Sequence, residues 1–186
     1  MTVRRADARR NYAKILEVAE KEVAAHGAEA SLEQIARVAG VGSATVRRHF
    51  PSRRALLEAV FSERVAALCA RAEQLSGADD ARAALLAWLA ALTSYATTAR
   101  GMAEALTEPT GDPGAHVDAC SARLGAAVDP LLRNAERAGA VAAHITVTDL
   151  ILLVTGIALA TEHHDDPTAE AHRLLALTVA GVSPLR

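Results

Sequence analysis

The sequence predicts an all-α protein, with a three-helix N-terminal part followed by a larger helical part. Hydrophobic residues make up 51% of the 186 residues and aromatic residues only 3%, which favours helices packed through small aliphatic side chains over β-sandwiches. Apolar residues recur at helical spacing along most of the chain. Ser, Asp, Pro and Gly stand at the positions where such helices are expected to begin or end.

The N-terminal part is expected to hold three helices. The first spans residues 4–26 and ends at Gly27, and its apolar side consists of Ile15, Leu16, Ala19 and Val23. Residues 31–50 then form two short helical patterns joined by a tight turn. Ser31 is a good N-cap, and Gly40 can adopt the left-handed conformation that ends a helix. Together these features predict a helix-turn-helix.

The second short helix has one apolar and one basic side. Val46 and Phe50 lie four residues apart on the apolar side, and Pro51 stops the helix. Thr45, Arg47 and Arg48 face away from them, where guanidinium groups can reach phosphates or guanine edges in a major groove. The alternative is a helical hairpin with a solvated basic face.

Charge is distributed unevenly along the chain. Residues 1–60 contain 11 Lys/Arg and 7 Asp/Glu, a net charge of +4, whereas the remainder contains 9 and 15, a net charge of −6. A basic N-terminal part joined to an acidic remainder suits a nucleic-acid-binding module attached to another function.

The remainder is predicted to be entirely helical. A helix begins at Pro51–Ser52 and runs to residues 76–77, and no linker precedes it. We therefore place a domain boundary inside the start of this helix, giving domains 1–53 and 54–186. Further helices are expected at 79–99, 101–107, 113–139, 146–162 and 167–180. Asp112 and Asp166 are expected to cap helices, and Pro130 is expected to kink or divide its helix.

The helix at 146–162 is apolar on all sides, and a helix of this kind must be buried all round. In a domain this small, one side can face the chain's own core and the other a partner subunit. The alternative is a central helix in a monomeric bundle.

Several classes of site and protein are disfavoured. No nucleophile elbow, phosphate loop, HExxH motif or paired carboxylates indicate an enzyme. Cys69 and Cys120 lack metal-ligand spacing, and the run from His163 to Asp166 is interpreted as a solvated loop rather than a metal site. We predict no metal and no cofactor. With no signal peptide and no apolar run long enough to cross a bilayer, a cytoplasmic protein with no membrane association is expected.

The stretch SLEQIARVAGVGSATVRRHFPSRRALLEAVF, preceded by a helix and followed by an all-helical remainder, resembles the TetR family of bacterial one-component regulators. The similarity covers roughly residues 8–61. Its most specific positions are Ile35, Ala36, Ala39, Gly40, Val41, Thr45, His49, Phe50, Ser52 and the run from Ala55 to Leu57. The resemblance implies an N-terminal DNA-binding domain and a C-terminal domain for ligand binding and dimerisation.

The resemblance also implies roles for individual residues. Thr45, Ser31 and Arg53 fall where the family contacts DNA phosphates. Arg47 stands where the family usually has Tyr, and Gly42 where it often has Ser, which moves the expected cap to Ser43. His49 is either a packed histidine or a phosphate donor. The predicted DNA-contacting residues are Ser31, Ser43, Ala44, Thr45, Arg47, Arg48, His49 and Arg53.

The family further implies operator DNA, a homodimer through helices 146–162 and 167–180, and a small-molecule effector as partners. Trp88, Leu92, Tyr95, Met102 and Cys120 are candidates for lining the effector pocket, although residues of these types on a helix stripe also suit a core. The predicted function is a transcriptional repressor released from a palindromic operator by a small apolar molecule. The alternative is a DNA-binding regulator with no effector.

Overall fold

The computed structural model describes residues 2–98 and 113–181, and within them it contains eight α-helices and no strand. The all-α prediction is confirmed. The helices are α1 (Thr2–His26), α2 (Leu32–Ala39), α3 (Ser43–His49), α4 (Arg53–Leu75), α5 (Ala81–Thr98), α6 (Pro113–Arg137), α7 (Val147–Thr161) and α8 (Pro167–Ala180). A 3₁₀ turn, Gly27–Glu29, follows α1. The helix predicted at 101–107 and the Asp112 cap lie outside the described residues.

The described residues form two compact units. Unit 1 contains residues 2–63, and unit 2 contains residues 64–97 and 114–181. The domain boundary predicted after residue 53 stays a prediction, since α4 is continuous and contributes residues to both units. None of the described helices combines the length and apolarity that a membrane crossing requires.

The core of unit 1 consists of the apolar sides that the sequence pattern predicts for the first four helices. Each side contributes residues at helical spacing, and Ile15, Ile35 and Leu56 are fully buried. Val46 of α3 and Phe50, which directly follows it, lie in the same core, and the opposite side of this short helix is exposed. The remaining buried members are Leu16, Ala19, Val23, Ala30, Ala36, Ala39, Leu57 and Val60.

The ends of α2 confirm the predicted capping residues. The Gln34 backbone N–H donates to Ser31 Oγ at 3.3 Å, which satisfies one of the N–H groups that a helix start leaves unpaired. Gly40 ends the helix with φ +63°, in the left-handed region. The Val41 N–H donates to the Ala36 carbonyl at 3.1 Å, which closes the turn between α2 and α3.

The start of α3 differs from the prediction, because Ser43 is not its cap. Ser43 is the first helical residue, and the N-cap is Gly42, with extended backbone angles and no capping side chain. The Gly42 carbonyl accepts hydrogen bonds from the Thr45 and Val46 N–H groups at 2.8 and 3.2 Å. The short turn ends at Val41, so the half-helical position falls on Gly42 and the Ser43 hydroxyl is free to face solvent.

Trp88 belongs to the core of unit 2. Its side chain is fully buried, and its indole N–H donates to the Leu68 carbonyl at 3.1 Å. Helix α6 is not divided at Pro130. Pro130 is exposed, so the backbone carbonyl that loses its partner can be hydrated, while the neighbouring Val128 and Leu131 anchor the helix in the core.

Helices α7 and α8 pack against each other and begin at side-chain caps. Thr146 and Asp149 form a reciprocal capping box at α7, and Asp166 caps α8 ahead of Pro167, as predicted. Within the chain α7 buries only one side, which includes Val154 and Ile157. Its other side exposes aliphatic residues, and α8 exposes two more. We call these exposed side chains the aliphatic face; they are Leu152, Leu153, Leu159, Leu177 and Val179.

Candidate nucleic-acid interface

The exposed side of α3 presents polar and cationic groups. Arg47 and Arg48 are exposed there, together with Ser43 and Ala44 at the start of the helix, while Thr45 is half-buried. Helix α3 has no acidic residue in its first turn, and its last turn carries Arg47, Arg48 and His49. We call Ser31, Thr45, Arg47, Arg48 and Arg53 the basic surface, since each is a predicted DNA contact at or near this side of unit 1.

Two arginines of the basic surface form ion pairs within unit 1. Arg47 Nη2 donates to Glu33 Oε1 at 2.9 Å, and Arg53 Nη2 lies 3.4 Å from Glu29 Oε2. Both glutamates precede or open α2, so the structure brings the start of α2 beside α3 and the start of α4. Ser52 caps α4 by accepting a hydrogen bond from the Ala55 N–H at 3.1 Å.

His49 lies at the end of α3 and is half-buried. Its ring meets Tyr12 of α1 edge-on, with 5.8 Å between centroids, and Tyr12 also packs against Phe50 at 5.2 Å. The Nε2 atom of His49 is buried and has no hydrogen-bond partner among the described residues. These contacts favour the packed histidine of the two predicted alternatives.

Sequence reasoning missed four side chains that shape this surface. Tyr12 supports His49, and Lys14 Nζ lies 3.7 Å from the point that a Cβ on Gly40 would occupy. Glu29 and Glu33 pair with the arginines. Arg47 and Glu33 are 14 residues apart, so no short-range spacing in the sequence indicates their contact.

Four of the residues predicted for an effector pocket, Trp88, Leu92, Tyr95 and Cys120, are described and lie in unit 2. Leu92 and Cys120 are buried, as is Trp88, whose hydrogen bond to Leu68 marks a core residue. Burial raises the pKa of the Tyr95 hydroxyl above its usual range, and the Arg64 guanidinium lies 5.8 Å from the Tyr95 ring centroid. Met102 lies outside the described residues.

A groove of about 380 Å³ lies between α4 and α6. Four alanines, Cys69, Glu73 and Arg123 line it, and none of the four described candidates for the effector pocket does. The Cys69 thiol donates to the Arg123 carbonyl at 3.9 Å.

No group of three or more His, Cys, Asp or Glu residues in the described ranges is placed to hold a metal ion. His163 instead lies 3.3 Å from Glu162, and Asp166 caps α8 through the Ala169 N–H at 2.9 Å.

Two family profiles match the chain. The profile of bacterial regulatory proteins of the tetR family matches residues 15–60, and that of SbtR-like transcriptional regulator C-terminal domains matches residues 80–184. None of the curated proteins matches the chain.

Solved structures give the same result. A TetR transcriptional regulator from Streptomyces coelicolor is 37% identical, with 94% of this chain and 99% of that chain covered and a TM-score of 0.74. A TetR regulatory protein from Mycobacterium vanbaalenii is 35% identical, with coverages of 85% and 96% and a TM-score of 0.67. FadR from Bacillus subtilis, solved in complex with stearoyl-CoA, shares only the fold, at 18% identity, coverages of 92% and 100%, and a TM-score of 0.65. The chain therefore belongs to the TetR family of DNA-binding transcriptional regulators, which are not enzymes.

Proposed function

We propose that this chain is a homodimeric repressor that binds a palindromic operator through α3 and is released from it by a small apolar molecule. The observation that carries the DNA-binding part is the basic surface: α3 buries Val46 and Phe50 and leaves two consecutive arginines exposed. A short helix that is anchored on one side and cationic on the other suits insertion into a major groove.

Arg47 and Arg48 have different roles in this proposal. Consecutive helical residues point about 100° apart, so the two guanidinium groups cannot make the same contact. Arg47 takes the base contact, with two parallel hydrogen bonds to a guanine edge, and Arg48 takes a phosphate. Ser31, Thr45 and Arg53 contact phosphates as well, and Ser43 and Ala44 face the groove at the N-terminus of α3.

Arginine substitutions separate base contacts from phosphate contacts. Arg47→Ala is expected to weaken binding to a duplex selected from a random pool by about 1–3 kcal/mol and to relax preference at one base position. Arg53→Ala is expected to weaken binding to all sequences and to reduce the salt slope by about 1. Fluorescence anisotropy titrations at several salt concentrations measure both effects.

Arg133→Ala provides the matched control, because Arg133 is an exposed arginine of α6 whose partner is Asp129. This control is expected to bind the selected duplex like the unaltered protein. Unchanged binding by both Arg47→Ala and Arg53→Ala would contradict the assignment of the basic surface.

The homodimer part of the proposal is supported by the aliphatic face. Leu152 and Leu159 are 64% and 62% exposed on one side of α7, and Leu177 is exposed on α8, which packs against α7. Exposed aliphatic side chains on two helices that pack together suit an interaction site. A second copy of the same face, related by two-fold symmetry, is a self-complementary cover for it.

A symmetric dimer predicts two measurable properties, the mass in solution and the symmetry of the operator. Light scattering at micromolar concentration is expected to give twice the mass of the chain. The selected operator is expected to be palindromic, with half-sites about 34–36 Å apart, so that two copies of α3 enter successive major grooves. A monomeric mass would exclude this assembly.

The effector part of the proposal rests on the apolar interior of unit 2. Leu92 and Cys120 are buried, and apolar side chains of this kind suit a ligand with few polar groups. Bacillus subtilis FadR, of the same fold, is in complex with stearoyl-CoA, a ligand with a long apolar chain. A ligand that favours the state with low DNA affinity weakens operator binding, and linkage requires operator DNA to weaken ligand binding by the same factor.

The alternative is a regulator without an effector, and the core role of Trp88 favours it, since that side chain is occupied by packing and by its bond to Leu68. A thermal-shift screen with apolar small molecules tests for an effector. A ligand found in this way is then titrated with and without operator. Equal affinity in the two titrations would show that the ligand is not an effector.

A further inference from the structure

Glu33 connects two residues of the basic surface. Its Oε1 atom accepts the hydrogen bond from Arg47 Nη2 at 2.9 Å, and its Oε2 atom accepts one from Ser31 Oγ at 3.5 Å. Arg47 is the proposed base contact and Ser31 a proposed phosphate contact. One exposed carboxylate therefore lies between the groups proposed to meet DNA bases and DNA backbone.

Glu33 is held in this position by its own helix. It lies in the first turn of α2, where the backbone N–H groups and the helix dipole favour a negative charge. Hydrogen bonds from its own backbone and from Arg47 lower the pKa of the Glu33 carboxyl. The group is accordingly ionised at neutral pH, and its charge is present when the protein meets DNA.

The geometry leaves Arg47 able to bind a base without leaving Glu33. A guanidinium group carries five N–H donors, and the bond to Glu33 occupies a single Nη2 hydrogen. Enough donors remain for the two hydrogen bonds that a guanine edge accepts. A contact of Arg47 with a phosphate is different, because it brings a second negative charge beside the Glu33 carboxylate.

We propose that Glu33 is a positioning residue that sets the specificity of DNA recognition: it orients Arg47 toward a base and disfavours the use of Arg47 on the backbone of unrelated DNA. The inference rests on the proposed role of Arg47 in base contact. Glu33 acts through Arg47, so its effect on discrimination is absent when Arg47 is absent.

The test measures discrimination rather than affinity alone. Glu33→Gln keeps the shape of the side chain and removes its charge. Dissociation constants are measured at equal salt for the selected operator duplex and for a scrambled duplex of the same length. The variant is expected to bind the scrambled duplex about three- to tenfold more tightly, as suits the loss of one repelling charge. Operator binding is expected to stay equal or to weaken, so the specificity ratio falls at least about threefold.

Three further variants test whether the effect of Glu33 on specificity depends on Arg47, on the negative charge and on the position of that charge. In the Arg47→Ala background, adding Glu33→Gln is expected to leave the specificity ratio unchanged. Glu33→Asp, which keeps the charge, is expected to restore part of the discrimination. Glu17→Gln removes an equal charge from an exposed pair with Lys21 at 2.8 Å on α1, and it is expected to change both affinities by the same small factor.

The proposal is overturned if Glu33→Gln tightens both duplexes equally, as the Glu17→Gln control does, or if its effect on the specificity ratio persists without Arg47. Failure of the proposed function gives a separate result: Arg47→Ala alone then leaves operator binding unchanged. Thermal unfolding of Glu33→Gln close to that of the unaltered chain verifies that the measured differences belong to the folded protein.

Discussion

Helices α3 and α7 each bury one side and expose the other, but the exposed sides differ in chemistry. Helix α3 exposes Arg47 and Arg48, whereas α7 exposes Leu152 and Leu159. Exposed arginines are well solvated, so leaving them in water does not destabilise a single chain. Burying an exposed leucine would instead stabilise the protein by about 25 cal/mol for every Å² of apolar surface removed from water. The α3 surface is stable in water in the free chain, whereas covering the α7 surface would lower the free energy of the chain.

The two helices also differ in how they begin. Thr146 and Asp149 cap α7 reciprocally, with Asp149 Oδ2 accepting from the Thr146 N–H at 2.8 Å. Helix α3 begins at Gly42, which offers no side chain to the unpaired N–H groups. Helix α3 therefore depends on the core contacts of Val46 and Phe50 and on the turn at Gly40, whereas α7 has a local start signal of its own.

The largest expected effect comes from placing a charge on the aliphatic face. Leu159→Glu brings two carboxylates into the proposed symmetric interface, and each buried charge without a partner costs several kcal/mol. The chain is expected to become monomeric at micromolar concentration, as measured by sedimentation equilibrium. Ala83→Glu adds the same charge at an exposed position of α5 and is expected to leave the mass unchanged. A folded Leu159→Glu variant that stays dimeric would remove α7 from the interface.

The next effect concerns the turn that positions α3. Gly40 has φ +63°, and an alanine there is strained by about 1–2 kcal/mol. Lys14 Nζ lies 3.7 Å from the position of the new Cβ, an ordinary contact, so the cost arises from the backbone. Urea unfolding followed by circular dichroism is expected to show the loss. Gly77→Ala, with open space and no positive φ, is the control and is expected to change stability little.

The fluorescence of Trp88 can show in which unit Gly40→Ala reduces stability. It is the only tryptophan of the chain and belongs to unit 2, so its fluorescence reports on that unit. We expect Gly40→Ala to shift the circular dichroism transition more than the fluorescence transition. Coincident shifts would contradict an effect local to unit 1.

The sequence predicts features that depend on neighbouring residues and misses those that depend on distant ones. Ser31, Gly40 and Asp166 were identifiable as caps because capping acts within four residues of a helix end. The cap expected at Ser43 was wrong by one residue, since the length of the turn decides which residue flanks the helix. The Glu33 contact with Arg47 depends on how α2 packs against α3, and helical periodicity carries no information on that packing.

The same distinction applies to α7. Its sequence is apolar all round, so periodicity alone does not indicate which side the chain buries. Only the packing against α8 and the rest of unit 2 leaves Leu152 and Leu159 exposed. The roles of these residues in a dimer, and those of the basic surface in DNA binding, stay predictions.

Helices α2 and α7 both begin at a hydroxyl side chain that caps the helix, but only the cap of α2 belongs to the basic surface. Ser31→Ala and Thr146→Ala are each expected to cost about 1 kcal/mol of stability. Only Ser31→Ala is expected to weaken DNA binding as well, because Ser31 belongs to the basic surface. Denaturation and anisotropy titrations measure the two effects, and equal losses of operator affinity would contradict the phosphate contact.

The α7 cap also predicts a dependence on pH. Hydrogen bonds from the Thr146 side chain and backbone lower the pKa of Asp149. A carboxyl with a lowered folded pKa contributes stability above its unfolded pKa of about 3.9 and loses that contribution as pH falls through the folded value. The stability difference between Thr146→Ala and the unaltered chain is expected to be full at pH 7 and to shrink below about pH 4. A difference that stays constant down to pH 2 would show that the hydrogen bond from the Thr146 hydroxyl to the Asp149 carboxylate contributes nothing to the cap.

The smallest expected effect is a gain at the uncapped start of α3. Gly42 has φ −67° and ψ 144°, which any residue adopts, and nothing lies within 4 Å of an added Cβ. Gly42→Ser supplies a hydroxyl that can accept a hydrogen bond from the N–H groups of the first turn. It is expected to stabilise unit 1 by a few tenths of a kcal/mol, whereas Gly42→Ala, which cannot cap, is expected to destabilise it. Midpoints of thermal unfolding followed by circular dichroism order the three proteins. If Ser and Ala shift the midpoint in the same direction, side-chain capping at position 42 does not affect stability. The start of α3 is then stabilised by the turn and the core contacts alone, and its difference from the capped start of α7 has no effect on the free energy of unfolding.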